Sequence, residues 1–167
     1  MSVSSHLTPE PERRLWAILD FLRAGVAAAD WQLLALTGFA ALELLAARPG
    51  EPFVAATLGL AVLFGLGAFI ARPRLPGDGA ALDPARGRQS VDDSFITAED
   101  LAKYAHGELI LKMDRYLGGG ITATQYHEDL VAEIGANARL AVRKRRMLAI
   151  LCGLVLLGQA ALLGRLL

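Results

Sequence analysis

The chain of 167 residues lacks the residue patterns on which most catalytic and metal sites depend. It has no HExxH or CxxC spacing for zinc, no GxSxG nucleophile motif, no P-loop and no GxGxxG. Its single cysteine, Cys152, excludes an intrachain disulfide, and its place in an apolar run is typical of a packing residue rather than a reactive thiol. We therefore expect no catalytic residues, no metal site, no cofactor and no enzymatic activity.

The chain also lacks a net charge, since 17 Lys and Arg balance 17 Asp and Glu. Without a global field, no nucleic-acid partner is expected. Charges are scarcest in the blocks 24–47, 53–71 and 147–167, and the second of these has none. Each block is close to the roughly 20 residues with which a helix crosses a bilayer. With 54% hydrophobic residues and a mean hydropathy of +0.40, the sequence predicts an all-α membrane protein with three transmembrane helices.

The pattern divides the chain into five segments. They are an amphipathic N-terminal segment (1–23), a transmembrane hairpin (24–71), a linker (72–96), a helical region (97–146) and a C-terminal transmembrane helix (147–167). The apolar residues of the first segment recur at helical spacing, which predicts a helix that lies on the membrane or packs against the soluble part and can run into the first span. The linker contains three prolines and three glycines and has no periodicity.

Two further helices are predicted in 97–146. Thr97 with Asp100 resembles a capping box, and Gly118 follows the end of the first helix. One apolar row is expected along this helix: Leu101, Ala105, Leu109, Met113 and Leu117. Thr122 with Gln125 opens the second helix, and no proline stops it before Leu167. Its apolar stripe is expected to be Tyr126, Leu130, Ile134, Ala138 and Ala141. We predict one long helix that is continuous with the third span.

The basic residues predict an orientation. Three Lys and Arg precede the first span and twelve lie in 72–146, but one (Arg48) lies in the hairpin loop and one (Arg165) near the C-terminus. By the positive-inside rule, the N-terminus and 72–146 are expected to be cytoplasmic, in the inner (plasma) membrane.

Three polar residues interrupt the first span: Asp30, Gln32 and Glu43. A carboxylate at bilayer depth costs about 2.5–3.5 kcal/mol on insertion scales. Asp30 either belongs to an interfacial ring beside Trp31, or faces other helices and holds a partner there, and we predict the second. Glu43 either snorkels to the outer interface or pairs with Arg48 or a neighbouring subunit.

Five basic residues lie in the run 139–147 at the expected membrane edge. This run serves either to set the topology and contact anionic lipid or to bind a phosphorylated ligand. Phosphate needs cationic donors, so the ligand-contact candidates are Lys103, Lys112, Arg115, Arg143 and Lys144. The wide apolar faces around 109–111 predict a homo-oligomer.

Several of these pieces together resemble the transmembrane effectors of Pycsar anti-phage defence, across nearly the whole chain in architecture. The matching residues are Ala29-Asp30, Arg72-Pro73, Tyr126-x-x-Asp129-Leu130 with Ile134, and Arg143-Lys144 before the third span. Gln32 stands where that family usually has lysine, so the first span lacks an Asp–Lys relation of its own. The resemblance implies that cyclic UMP or cyclic CMP from a partner pyrimidine cyclase switches on inner-membrane disruption. The alternatives are a scaffold membrane protein without a ligand, or a small channel.

Overall fold

The computed structural model describes residues 11–46, 52–70, 93–119 and 124–163, and these residues form helices with no strand among them. The helices are α1 (Pro11–Ala46), α2 (Pro52–Ile70), α3 (Ala98–Leu101), α4 (His106–Leu117) and α5 (Gln125–Leu163). Three of them, α1, α2 and α5, are long and apolar enough to cross a membrane. The prediction of an all-α fold with three such helices is therefore confirmed. The hairpin loop and most of the predicted linker lie outside the described residues.

The described residues divide into two compact units. We call 11–26, 93–119 and 124–142 the head unit, and 27–46, 52–70 and 143–163 the span unit. Both α1 and α5 contribute residues to each unit without a break. With 39 residues, α5 is about 58 Å long at 1.5 Å per residue. The expected continuity of the helix that begins at Gln125 with the third apolar block is confirmed, and the N-terminal helix also runs on into the first block.

The head unit has its own apolar core, to which α1, α3, α4 and α5 all contribute. Its most deeply buried members are Leu15, Leu19, Leu101, Ala102, Leu109, Met113, Val131, Ile134 and Ala138, each 0% exposed. The apolar residues of the N-terminal segment therefore pack against the other head-unit helices, which is one of the two alternatives that their spacing predicted. Burial of this apolar area is the main stabilising contribution to the unit.

The single helix predicted over 97–117 is wrong, because the chain leaves helical geometry between α3 and α4. Thr97 caps α3 as predicted, with its side chain accepting from the Asp100 backbone N–H. Ala105, however, is extended (φ −67°, ψ 157°) and precedes α4 instead of continuing the row. The interruption turns Tyr104 inward, where its ring is only 1% exposed and its hydroxyl donates to Asp93. That tertiary contact outweighs the local helical pattern.

The turn between α4 and α5 is partly described. Gly118, in the left-handed conformation at φ 87°, ends α4 as predicted, because a residue without Cβ adopts this geometry at little cost. The expected cap Thr122 lies outside the described residues, and the hydroxyl of Thr124 accepts from the His127 N–H at 3.3 Å. The sequence predicts Tyr126 on the buried apolar stripe of α5, and this position is wrong because the residue is 49% exposed.

The span unit packs α1, α2 and α5 around a second core. Gly65 of α2 lies against Thr37 of α1, and Gly158 of α5 lies against Leu58 of α2. Small residues let helix backbones approach closely in a bilayer, where no hydrophobic effect drives helices together. In the contact between α5 and α2, the small residue is Gly158 of α5. A Cβ at Gly153 of the same helix would meet nothing within 4 Å.

Candidate functional sites in the head and span units

The connection from α3 to α4 is held by a charged network. Lys103 Nζ lies 2.9 Å from Asp93 Oδ1 and 2.6 Å from Asp100 Oδ1. Asp93 also accepts from the Tyr104 hydroxyl at 2.7 Å, and Asp100 accepts from the Ser94 N–H at 3.0 Å. The charge of Lys103 is therefore compensated twice within the fold, which leaves this candidate ligand residue engaged in structural contacts.

The network shifts the pKa of three side chains. The hydrogen bond from Lys103 lowers the pKa of Asp100 below its usual 3.8, and the hydrogen bonds to Asp100 and then Asp93 raise the pKa of Lys103. Burial, followed by the hydrogen bond to Asp93, raises the pKa of Tyr104 to about 12. A carboxyl pKa that folding lowers stabilises the fold at pH values above the unfolded-state pKa, and this stabilisation is lost on acidification through the folded-state pKa. A pKa that folding raises stabilises the fold below the unfolded-state pKa, and this stabilisation is lost as the pH rises through the folded-state pKa.

We predict that the head unit loses stability as the pH falls below 3.8 and as it rises above 10.0, the unfolded values of Asp100 and Tyr104. Asp100→Asn should flatten the acidic side of the curve. The measurement is the thermal unfolding midpoint of the detergent-solubilised protein by circular dichroism across a pH series. Asp20→Asn, which removes a 71% exposed carboxylate of the same unit, is the control. An acidic side equally steep in the wild type and Asp100→Asn would contradict the prediction.

Two further cations lie beside Tyr104. The guanidinium of Arg139 donates to the Tyr104 carbonyl oxygen at 3.4 Å, and Lys112 Nζ lies 5.9 Å from the centroid of the Tyr104 ring. Arg139 is half-buried, and burial lowers its pKa. Arg139 takes no part in the ion pairs that Arg23, Lys103 and Lys144 form within the described part of the chain.

Polar contacts join α1 to α5 in the head unit. Trp16 Nε1 donates to the Tyr126 hydroxyl at 3.2 Å, and that hydroxyl lies 3.2 Å from Glu12 Oε1. Further along both helices, Arg23 Nη2 lies 2.5 Å from Glu133 Oε1. These contacts are partly exposed, so each stabilises the unit modestly, but together they align the two helices.

The span unit contains a part-buried ion pair between α1 and α5. The ammonium of Lys144 contacts the Asp30 carboxylate, and the two side chains are 4% and 30% exposed. Asp30 therefore faces protein, in agreement with the prediction, and its lysine partner comes from α5 rather than from the first span. Since an unpaired charge is costly in a low-dielectric medium, each residue depends on the other.

A second polar contact joins the same helices. The Gln159 amide donates to Glu43 Oε1, while Glu43 Oε2 is buried with no hydrogen-bond partner among the described residues. Arg48, the partner suggested by the sequence, lies outside the described residues. The remaining polar residue of the first span, Gln32, is exposed and lines an open apolar cleft of about 420 Å³ with Ala35, Leu36, Leu148 and Cys152.

The basic residues of the run 139–147 do not all lie on one face of α5. Lys144 turns inward to its ion pair and is 3% exposed, whereas Arg143, Arg145 and Arg146 are exposed on the span unit. The five ligand-contact candidates are therefore not brought together. Lys103 is bound by two carboxylates, Lys144 and Arg143 belong to the span unit, and Lys112 and Arg115 are exposed on α4.

The sequence candidates omitted two residues. Apart from the near-terminal Arg165, Gln159 is the only polar residue of the block 147–167, and this isolation indicated it as a candidate for a polar contact. The signal for Arg139 was only its place in the basic run 139–147, because its position beside Tyr104 depends on the interruption between α3 and α4. No group of three or more His, Cys, Asp or Glu that could hold a metal ion occurs within the described ranges.

Compared with known protein families, curated proteins and solved structures, the chain matches none.

Proposed function

We propose that this chain is a membrane effector of bacterial anti-phage defence. Its head unit binds a cyclic pyrimidine nucleotide, cyclic UMP or cyclic CMP, and its span unit then disrupts the inner membrane. The observation that carries the proposal is that α1 and α5 each run unbroken from the head unit into the span unit. The resemblance of the sequence to Pycsar effectors supplies the ligand class.

The two shared helices provide a physical route from ligand to bilayer. In each unit they are joined by a charged pair, Arg23–Glu133 in the head and Asp30–Lys144 in the span. A ligand that binds one arrangement of the head helices more tightly than another shifts the population toward that arrangement. Because the helices are continuous, a change in their relative position enters the span unit. The proposed activity needs no bond-making chemistry, so the chain acts as an effector and not an enzyme.

The proposal includes an orientation and partners. The twelve Lys and Arg in 72–146 support a cytoplasmic head unit, where a pyrimidine cyclase delivers the ligand. Exposed large apolar residues on α4, Leu111 at 68% and Tyr116 at 50%, support a homo-oligomer. Nucleic acid has no role in this scheme, and the bilayer is the target.

Membrane vesicles of both orientations test the ligand and the orientation together. Inverted and right-side-out vesicles from expressing cells are energised, and a potential-sensitive dye is followed after external addition of cyclic UMP or cyclic CMP. We expect the potential to collapse only in inverted vesicles, since only there does the added nucleotide reach the cytoplasmic face. Mass photometry of the solubilised protein with and without nucleotide measures the oligomer.

The matched experiment in cells co-expresses the chain with an active or an inactivated pyrimidine cyclase. Depolarisation with the active cyclase alone agrees with the proposal. A stable potential in both cells and both vesicle types, with no nucleotide bound by the purified protein, would favour the scaffold. Depolarisation that is independent of cyclase would favour the channel.

A further inference from the structure

The guanidinium of Arg139 is the one half-buried cation of the described head unit that no carboxylate compensates. A guanidinium carries five N–H donors, and its contact within the fold is a 3.4 Å hydrogen bond to the Tyr104 carbonyl. Partial removal of a charge from water is costly unless an opposite charge or several acceptors replace the water. Among the described residues, the fold therefore leaves several N–H donors of Arg139 without acceptors and its positive charge without a carboxylate.

The guanidinium of Arg139 lies close to the backbone of its own helix at Gly135. Gly135 lies one turn earlier on α5, and a Cβ there would come within 3.4 and 3.5 Å of the two terminal nitrogens of Arg139 and 3.0 Å of Leu109 Cδ2. A Cβ here would make ordinary contact with the guanidinium and a tight one with Leu109. Lys112 brings a second cation to the same residue, Tyr104, from the α4 side.

We propose that Arg139, which contacts the Tyr104 carbonyl, and Lys112, which lies near the Tyr104 ring, form an anion site of the head unit that binds the phosphate of the nucleotide ligand. This inference rests on the proposed function for the identity of the ligand. The planar fork of Arg139 can donate two parallel hydrogen bonds to a phosphate, while Lys112 adds a point charge. Phosphate at this position also compensates the guanidinium that the fold leaves unpaired.

The position of the site agrees with a signalling role. Arg139 belongs to α5, the helix that continues into the span unit, and Tyr104 belongs to the connection between α3 and α4. An anion held by Arg139 and Lys112 bridges α5 and α4. Of the five candidates from the sequence, this site retains Lys112 and adds Arg139 in place of the ion-paired Lys103 and Lys144.

Binding measurements on the full chain in nanodiscs test this site. The probes are cyclic UMP, cyclic CMP and uridine, which lacks phosphate, each in discs of phosphatidylcholine with and without phosphatidylglycerol. We expect Arg139→Gln to weaken cyclic nucleotide binding by about tenfold or more, the loss typical of a charge-assisted hydrogen bond. Lys112→Gln should weaken it less, and Arg139→Lys should restore part of it. Arg14→Gln, at an exposed arginine outside the ion pairs of the described residues, is the control.

Circular dichroism of each variant shows whether the head unit is folded, and Lys112→Gln keeps the test valid if Arg139→Gln unfolds it. Unchanged nucleotide affinity in both Arg139→Gln and Lys112→Gln would overturn the site and leave the proposed function standing. A wild type that binds no cyclic nucleotide would overturn both. If Arg139→Gln instead reduces co-purified phosphatidylglycerol, the anion is a lipid phosphate and the nucleotide assignment is wrong.

Discussion

Replacing Lys144 with methionine is expected to destabilise the folded protein by about 1–3 kcal/mol, the range for leaving a partly buried polar group without its partner. The variant keeps most of the length of the side chain but leaves the Asp30 carboxylate without its counter-charge. The Lys144 side chain is 4% exposed and the Asp30 side chain is 30% exposed, so water replaces the lost ammonium only in part. Asp30→Leu should be costly for the same reason, because it leaves the ammonium unpaired.

The double variant Asp30→Leu/Lys144→Met separates the cost of an unpaired charge from the net contribution of the pair. Replacing both partners of a buried pair with apolar residues is often neutral, so the double variant should be more stable than either single one. Free energies of unfolding from SDS titration in mixed micelles complete the cycle.

Arg143→Met is the matched control for Lys144→Met, since it removes the neighbouring cation, which is exposed and outside the ion pairs of the described chain. It should cost little. Equal stability of Lys144→Met and Arg143→Met would mean that the Asp30–Lys144 contact does not hold the span unit together. If nucleotide-dependent depolarisation is lost in the double variant while stability is retained, the pair also transmits the signal.

Gly65→Ala is expected to loosen the packing of α2 against α1 and to cost about 1–3 kcal/mol, the range for overpacking a well-packed site. The added Cβ would come within 2.0 Å of Thr37 Oγ1 and 3.0 Å of Thr37 Cβ. Thr37 is 7% exposed, and its hydroxyl donates to the Leu33 carbonyl at 2.6 Å. Rotating it away would sacrifice that hydrogen bond in an apolar setting, so the helices themselves must move apart.

Gly67→Ala is the control for Gly65→Ala, because a Cβ at Gly67 meets nothing within 4 Å. It lies on the same helix and makes the same chemical change, and its thermal unfolding midpoint should match or exceed that of the wild type. Thr37→Ala in the Gly65→Ala background removes the closest atom and should recover much of the loss. Similar unfolding midpoints for Gly65→Ala and Gly67→Ala would show that the two helices are not in close contact at Thr37.

The positions of most helices were predictable because local rules decide them. The charge-free block 53–71 became α2 over Pro52–Ile70, with proline at the first helical position, where its missing N–H is not needed. Thr97 and Gly118 mark helix ends as predicted, and the absence of proline after Gln125 allowed α5 to continue into the third block. Each of these features depends on residues near one another in the chain.

The break between α3 and α4 could not be predicted in the same way. Leu101, Ala105, Leu109 and Met113 have helical spacing, yet Ala105 is extended, because the contacts of Lys103 and Tyr104 with Asp93 compete with the helix. Asp93 lies ten residues before Lys103, in a stretch whose pattern predicted a linker. The contact of Arg139 with Tyr104 follows from this break, so the basic run 139–147 and the candidate Lys112 did not indicate that the two residues share a neighbour.

The sequence by itself determined the class of this protein, all-α with three helices able to cross a membrane, because hydrophobic length and helix-end residues are local properties. Only the tertiary structure decided which side chains meet. It paired Asp30 with Lys144 and Glu43 with Gln159, and it brought Gly158 of α5 against Leu58 of α2. A long helix that is apolar on every side can rotate about its axis without changing its pattern, so its contacts depend on the shapes and charges of its neighbours.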